Sequence, residues 1–197
     1  QTNPLHMFSG HMKLTIMGEG GIQNEQAISI GARSVHPSEF GFVDPVIANN
    51  TIVDTPEGIS ISSAVAASTT QGAVVTGNVI TDAGPATNGG AIHILKGSGT
   101  ACKNISITGN TVIDSVNTKG IYITGCNNVT VTGNNVINTA VADGLQGALI
   151  ELSTQIDFSG NTVQGGGGTG VQIVGTVDFI ISSNNIINNS LDSAGTY

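Results

Sequence analysis

The chain is poor in charge, aromatic rings and cysteine. Only 9% of its 197 residues are charged, and the cations are five: Lys13, Arg33, Lys96, Lys103 and Lys119. They do not cluster. A nucleic-acid binder needs a basic footprint, so no nucleic-acid partner is expected. An anionic membrane surface is disfavoured on the same ground. No apolar run approaches the roughly 20 residues that cross a bilayer, so no membrane insertion is expected. Tryptophan is absent and aromatics make up 4%, which leaves few rings for stacking on sugars. Two cysteines without paired histidines give no metal-ligand spacing, and no metal or cofactor is expected.

What the chain has is repetition. An apolar-x-apolar pair, two small residues and an asparagine return as Val-Ile-Ala-Asn-Asn50, Val-Val-Thr-Gly-Asn78, Ile-Ser-Ile-Thr-Gly-Asn110, Val-Thr-Val-Thr-Gly-Asn134, Ile-Asp-Phe-Ser-Gly-Asn161 and Ile-Ile-Ser-Ser-Asn184. The anchor asparagines lie 28, 32, 24, 27 and 23 residues apart. Leu14-Thr15-Ile16-Met17-Gly18-Glu19 reads as a degenerate seventh copy. Repeats of this length imply a solenoid.

A second strand phrase stands upstream of each anchor: Ala27-Ile28-Ser29-Ile30, Gly58-Ile59-Ser60-Ile61, Ala91-Ile92-His93-Ile94, Gly120-Ile121-Tyr122-Ile123, Ile150-Glu151-Leu152 and Gly170-Val171-Gln172-Ile173. A third short strand follows the anchor, as in Thr111-Val112-Ile113. Period-two alternation of β-branched residues predicts strands in all three places. Cys102-x-x-Ile105-x-Ile107-x-x-Asn110-x-Val112 also fits a leucine-rich repeat. That fold requires a helical return segment, and here that stretch holds the second β phrase. The expected fold is all-β: a right-handed single-stranded parallel β-helix of about seven coils, with three parallel sheets around a narrow apolar core.

These phrases resemble the right-handed parallel β-helix of the pectate-lyase-like superfamily over nearly the whole chain. The resemblance implies long polysaccharides lying along the solenoid, and it is closest in kind to a bacteriophage tailspike or polysaccharide depolymerase. Residues 1–197 are read as one domain cut from a longer solenoid. The start, Gln1-Thr2-Asn3-Pro4, shows neither the charged nor the apolar region of an export signal.

Stacking places equivalent residues of successive coils above one another. The anchors predict a structural amide ladder. Asp54, Asp82 and Asp114, followed by Asn138, read as corner residues in which geometry rather than charge is required. Cys102 and Cys126 each lie eight residues before an anchor, so they stack on adjacent coils, at a spacing a disulfide permits. They are expected as buried free thiols in the core.

The outward row of the second strand reads Ser29, Ser60, His93, Tyr122, Glu151 and Gln172. His93, Tyr122 and Gln172 are the candidate substrate-binding residues, with Tyr122 available to stack on a sugar. Glu151 and Asp157 are the candidate catalytic carboxylates of a glycoside hydrolase. The bland alternative is a solvated polar face. The outward row Val53, Thr81, Ile113, Ile137, Gln164 and Ile187 is mostly apolar and suits packing against another chain or a covering segment. A homotrimer through Val53, Ile113, Ile137 and Ile187 is expected. Excursions at 31–44, 62–72, 82–90 and 139–147 are placed to wall a groove; the first carries Arg33, His36, Glu39, Phe40 and Phe42.

The functional expectation is a tailspike β-helix, in the virion or outside the cell, that binds and hydrolyses a bacterial surface polysaccharide. The alternatives are a stand-alone polysaccharide lyase or epimerase, or a non-catalytic adhesive solenoid. The scarcity of cations and the absence of clustered aspartates argue against the lyase.

Overall fold

A computed structural model describes residues 15–17, 26–31, 41–62, 69–85, 89–96, 101–138 and 145–189. Every regular element among them is a strand, and every strand pair is parallel. Sheet A has seven strands: Thr15–Met17, Thr51–Val53, Val79–Thr81, Thr111–Ile113, Asn135–Ile137, Thr162–Gln164 and Asn185–Ile187. Sheet B has six: Gln26–Gly31, Glu57–Ser62, Gly90–Leu95, Lys119–Thr124, Ala148–Glu151 and Val171–Val174. Sheet C holds the strands that precede each anchor, from Gly41–Val43 to Val177–Ser182. The chain visits C, A and B in turn and climbs one rung of about 4.8 Å per coil. No helix among the described residues is long and apolar enough to cross a membrane.

Inward positions fill the core. Ile59, Ile61, Ile92, Ile94, Ile121, Ile123 and Ile150 stack from sheet B, while Ile107, Val131 and Phe158 face them from sheet C, all fully buried. β-branched residues suit this site because their stiff side chains pack on the same residue one rung away.

The bends of each coil require residues in the left-handed region. Before each anchor it is Asn49, Gly77, Gly109, Gly133, Gly160 or Ser183, with φ between 55° and 64°. After sheet A it is Asp54, Asp82, Asp114, Asn138, Gly165 or Asn188. This bears out the geometric reading of the aspartate series, and Asn138 Nδ2 donates to Asp114 Oδ1 at 3.0 Å. A further left-handed residue kinks sheet C at Asp44, Gly72, Asn104, Asn128, Gln155 and Asp178. Asn and Asp tolerate this conformation better than other side chains, which explains their frequency here.

The amide ladder is continuous. Asn50 Nδ2 donates to Asn78 Oδ1 at 2.8 Å, Asn78 to Asn110 at 2.9 Å, Asn110 to Asn134 at 3.0 Å, Asn134 to Asn161 at 2.9 Å and Asn161 to Asn184 at 3.1 Å. Each Oδ1 also accepts the backbone N–H of the preceding anchor, as in Asn78 N to Asn110 Oδ1 at 3.0 Å. Each Nδ2 from Asn78 onward also reaches a core-strand carbonyl of the preceding coil, as in Asn110 Nδ2 to Val75 O at 2.9 Å.

The cysteines are buried free thiols, as expected, but they do more than fill the core. In register, Thr70, Cys102, Cys126, Ser153 and Thr176 form one row at the bend between sheets B and C. Ser153 Oγ accepts the Cys126 N–H at 3.2 Å and donates to Glu151 O at 2.7 Å. Cys126 Sγ donates to Thr124 O at 3.4 Å in the same way. The row is a second capping ladder, made of thiols and hydroxyls.

One strand differs from its expected place. Thr15–Met17 pairs with Thr51–Val53, so it is a sheet A strand that follows a bend, not a copy of the anchor phrase. A three-residue apolar alternation looks the same in either place.

Asn110→Ala removes the acceptor for two donors of Asn78 and the donor to Val75 O, all buried. The expected loss is about 3–5 kcal/mol in denaturant unfolding. Asn110→Asp is expected to cost more at neutral pH than in acid, because its charge is buried and its donors are gone.

Candidate functional site

The outer face of sheet B carries the densest group of ionisable side chains among the described residues. Register places Ser29, Ser60, His93, Tyr122, Leu149 and Gln172 in one outward row. Leu149, not Glu151, takes the rung above Tyr122; Glu151 pairs with Thr124 and belongs to the row Leu95, Thr124, Glu151, Val174. The expected row is therefore corrected by two residues at that coil. The missed signal is Gly147, which opens the phrase Gly-Ala-Leu-Ile150 just as Gly120 opens Gly-Ile-Tyr-Ile123. A Cβ on Gly147 would lie 2.4 Å from Val163 Cγ1 and 2.8 Å from Gly170 O, so only glycine permits this close stacking.

Glu151 nevertheless meets Tyr122 on the diagonal: the Tyr122 hydroxyl donates to Glu151 Oε2 at 2.8 Å. Long side chains span such diagonal neighbours in a sheet. Below Tyr122, the His93 ring stacks on it with centroids 4.7 Å apart and planes inclined by 8°. The Lys119 ammonium stands 4.6 Å from the Tyr122 ring centroid, a cation–π arrangement. Both rings are thus engaged within the protein.

Glu57 completes the group, with Oε1 3.9 Å from His93 Nδ1. Glu57 and Lys119 follow from register: both lie in the row that runs through Gly90, three residues before the outward row Ser60, His93 and Tyr122. Gly90 projects no side chain between them. Neither residue was singled out from the sequence, because each stands one position outside the recognisable Gly-apolar-x-apolar phrase.

Burial governs the electrostatics. His93 is 7% exposed, and its Nε2 is buried without a hydrogen-bond partner. Desolvation, and secondly the charge of Lys119, lower the His93 pKa to about 4, so the ring is neutral at physiological pH. Lys119 is lowered by desolvation and partly restored by Glu151. Tyr122 is pushed up to about 12 by desolvation, then by its hydrogen bond to Glu151 and the charge of that carboxylate. The phenol therefore remains a donor throughout the ordinary pH range.

Asp157 lies elsewhere. It sits on sheet C between Thr130 and Ile180, past the bend at Leu152 and Ser153, and its Oδ1 is buried without a hydrogen-bond partner. Gln172 is exposed one rung beyond Leu149. The structure thus brings His93, Tyr122 and Glu151 together, adds Glu57 and Lys119, and sets Asp157 on the next sheet. Much of the four excursions, with Arg33, His36, Glu39 and Phe40, lies outside the described residues. No group of three or more metal-ligating side chains occurs among the described residues.

Ser60 stands beside His93 in register, a pairing that invites comparison with a nucleophile and its base. His93 Nε2 has no hydrogen-bond partner, so Ser60 Oγ is not bonded to it. A hydroxyl activated by imidazole must hydrogen-bond a ring nitrogen, and that bond is absent at Nε2 here.

The depressed His93 pKa has a defined sign. In the unfolded chain the ring titrates near its ordinary 6.5, and in the folded protein near 4. Between these values the unfolded state binds more protons, so stability falls as pH drops through that window. The expected loss is about 3 kcal/mol across it. His93→Gln should flatten this part of the pH–stability curve, measured by urea unfolding at successive pH values.

A family model described as right handed beta helix region matches residues 22–195. Among curated proteins, the chain is similar to part of the DNA-directed RNA polymerase subunit beta of Mesoplasma florum, 38% identical over 61 residues, covering 31% of this chain and 4% of that protein. The same subunit of Desulfatibacillum aliphaticivorans is 38% identical over 69 residues, covering 35% of this chain and 4% of that protein. The chain therefore spans about 4% of the length of these relatives, and the polymerase's activity does not transfer on such a fragment. The family match, by contrast, covers most of the chain and agrees with its three parallel sheets, and the chain belongs to the right-handed β-helix family.

Proposed function

We propose that this β-helix binds a bacterial surface polysaccharide along the outer face of sheet B, as a tailspike-type receptor-binding solenoid. The observation that carries the reading is the group Glu57, His93, Lys119, Tyr122 and Glu151 on a rigid sheet, with Gln172 exposed beyond it. Sugar hydroxyls are recognised by fixed donors and acceptors, and a stacked parallel sheet holds such groups with little entropy left to lose on binding. The −8 formal charge favours a neutral or weakly charged glycan over a strongly anionic one.

Glycan arrays followed by calorimetry test this. Tyr122→Phe removes the hydroxyl and Glu151→Gln removes the charge. Each is expected to weaken binding about tenfold with the melting temperature nearly unchanged. Unaltered affinity in both variants would move the binding site off this face.

Hydrolysis through Glu151 and Asp157 is a second reading, favoured by the buried Asp157 Oδ1 that no donor satisfies. Asp157→Asn and Glu151→Gln should each abolish depolymerisation if the two act together. Loss in one variant alone would reject the pair.

We further propose a homotrimer in the virion or outside the cell, packed through Val53, Ile113, Ile137 and Ile187. These residues share one outward row of sheet A. Sedimentation should return a trimer for the native protein and a folded monomer for Ile113→Glu/Ile137→Glu. A native monomer at micromolar concentration would reject this assembly.

A further inference from the structure

Cys102 and Cys126 are the chain's two cysteines, and they occupy equivalent places on adjacent coils. Their next residues, Lys103 and Asn127, are Cα partners in the parallel ladder. The two side chains are 1% and 2% exposed. Stacked rungs put the Cα atoms roughly 4.8 Å apart, inside the window of roughly 4.4–6.8 Å that a disulfide spans. The residues that continue the row on either side, Thr70 and Ser153, carry hydroxyls. Along this row, among the described residues, the thiols are therefore each other's only sulfur neighbours.

We propose that Cys102 and Cys126 are a cross-linking pair that closes into a disulfide, stapling two adjacent coils, when the protein meets a small-molecule disulfide oxidant. One cysteine, deprotonated during a local opening of the bend, attacks the oxidant's S–S bond and releases one thiolate. The other cysteine attacks the protein sulfur of the mixed disulfide and releases the second. Two protein thiols are oxidised, and one small disulfide is reduced to two thiolates, which take up the two protons the cysteines release. The hydrogen bond with the neighbouring Cys102 thiol, and secondly burial, raise the Cys126 pKa, so exchange is slow at neutral pH and quickens as pH rises.

The cross-link joins consecutive turns of a solenoid whose stability is the sum of turn-to-turn contacts, so it opposes separation of those turns. It also removes the S–H that caps Thr124 O. That weak bond is a minor loss against a closed covalent loop.

The test is to incubate the folded protein with oxidised glutathione, then denature it and count thiols. The expected result is no titratable thiol, a mass lower by two hydrogens, and one digest fragment joining the two cysteine peptides without reductant. The melting temperature should rise by roughly 5–10 °C over the reduced protein. Cys126→Ser should fold, since Ser153 fills the same role on the next rung, and should show no such rise. Two free thiols after prolonged incubation, a retained glutathione adduct, or cross-linked dimers would each overturn the proposal.

Discussion

Everything in this structure depends on in-register parallel stacking. Each backbone amide at a bend is bonded to the coil beside it, as when Gly109 N donates to Thr132 O at 3.1 Å and Thr111 N to Asn78 O at 2.8 Å. Buried amides must be paired, so one coil can turn only where its neighbours turn. A primary amide suits the buried corner because it is both donor and acceptor. Asparagine passes the bond from rung to rung without end, with Oδ1 receiving from the coil before and Nδ2 giving to the coil after. A hydroxyl does this with one fewer donor, and the Cys126, Ser153 and Thr176 row is correspondingly the looser of the two ladders.

The same constraint builds the outer face of sheet B. Once the register is set, outward side chains of successive coils are held one rung apart, and residues distant in sequence become neighbours. His93 and Tyr122 become a ring stack because they are Cα partners. Glu151 joins them from a neighbouring row through the length of its side chain and that of Tyr122. Lys119 lies over the Tyr122 ring; burial, and secondly the charge of Lys119, keeps His93 neutral, while Glu151 partly offsets the desolvation of Lys119.

How much of this was legible depended on periodicity. The anchors, the second strand phrases and the aspartate corners recur with the coil, and the ladders they predict are present. The Glu151 row failed because the phrase Ile150-Glu151-Leu152 has the right alternation but starts two residues late. Leu152, expected as the inward end of a strand, is 71% exposed with φ 49° and makes the bend. The cysteines were read by hydrophobicity as core, and they lie in it; that their row also caps the bend shows only in the register, which puts serine and threonine on the next rungs. Glu57 and Lys119 were missed because their importance lies in what stands beside them, and the residue between them is a glycine.

The sequence by itself determined the repeat, the three strands per coil, the buried asparagine ladder and the inward apolar rows. Those follow from local chemistry, since alternation, β-branching and left-handed corner residues act within a few positions. Only the tertiary structure decided the register at the Glu151 coil, the engagement of the Tyr122 ring and the separation of Asp157 onto another sheet. Such facts depend on which rung lies against which, and a loop whose length varies from coil to coil carries no periodic signal from which to count.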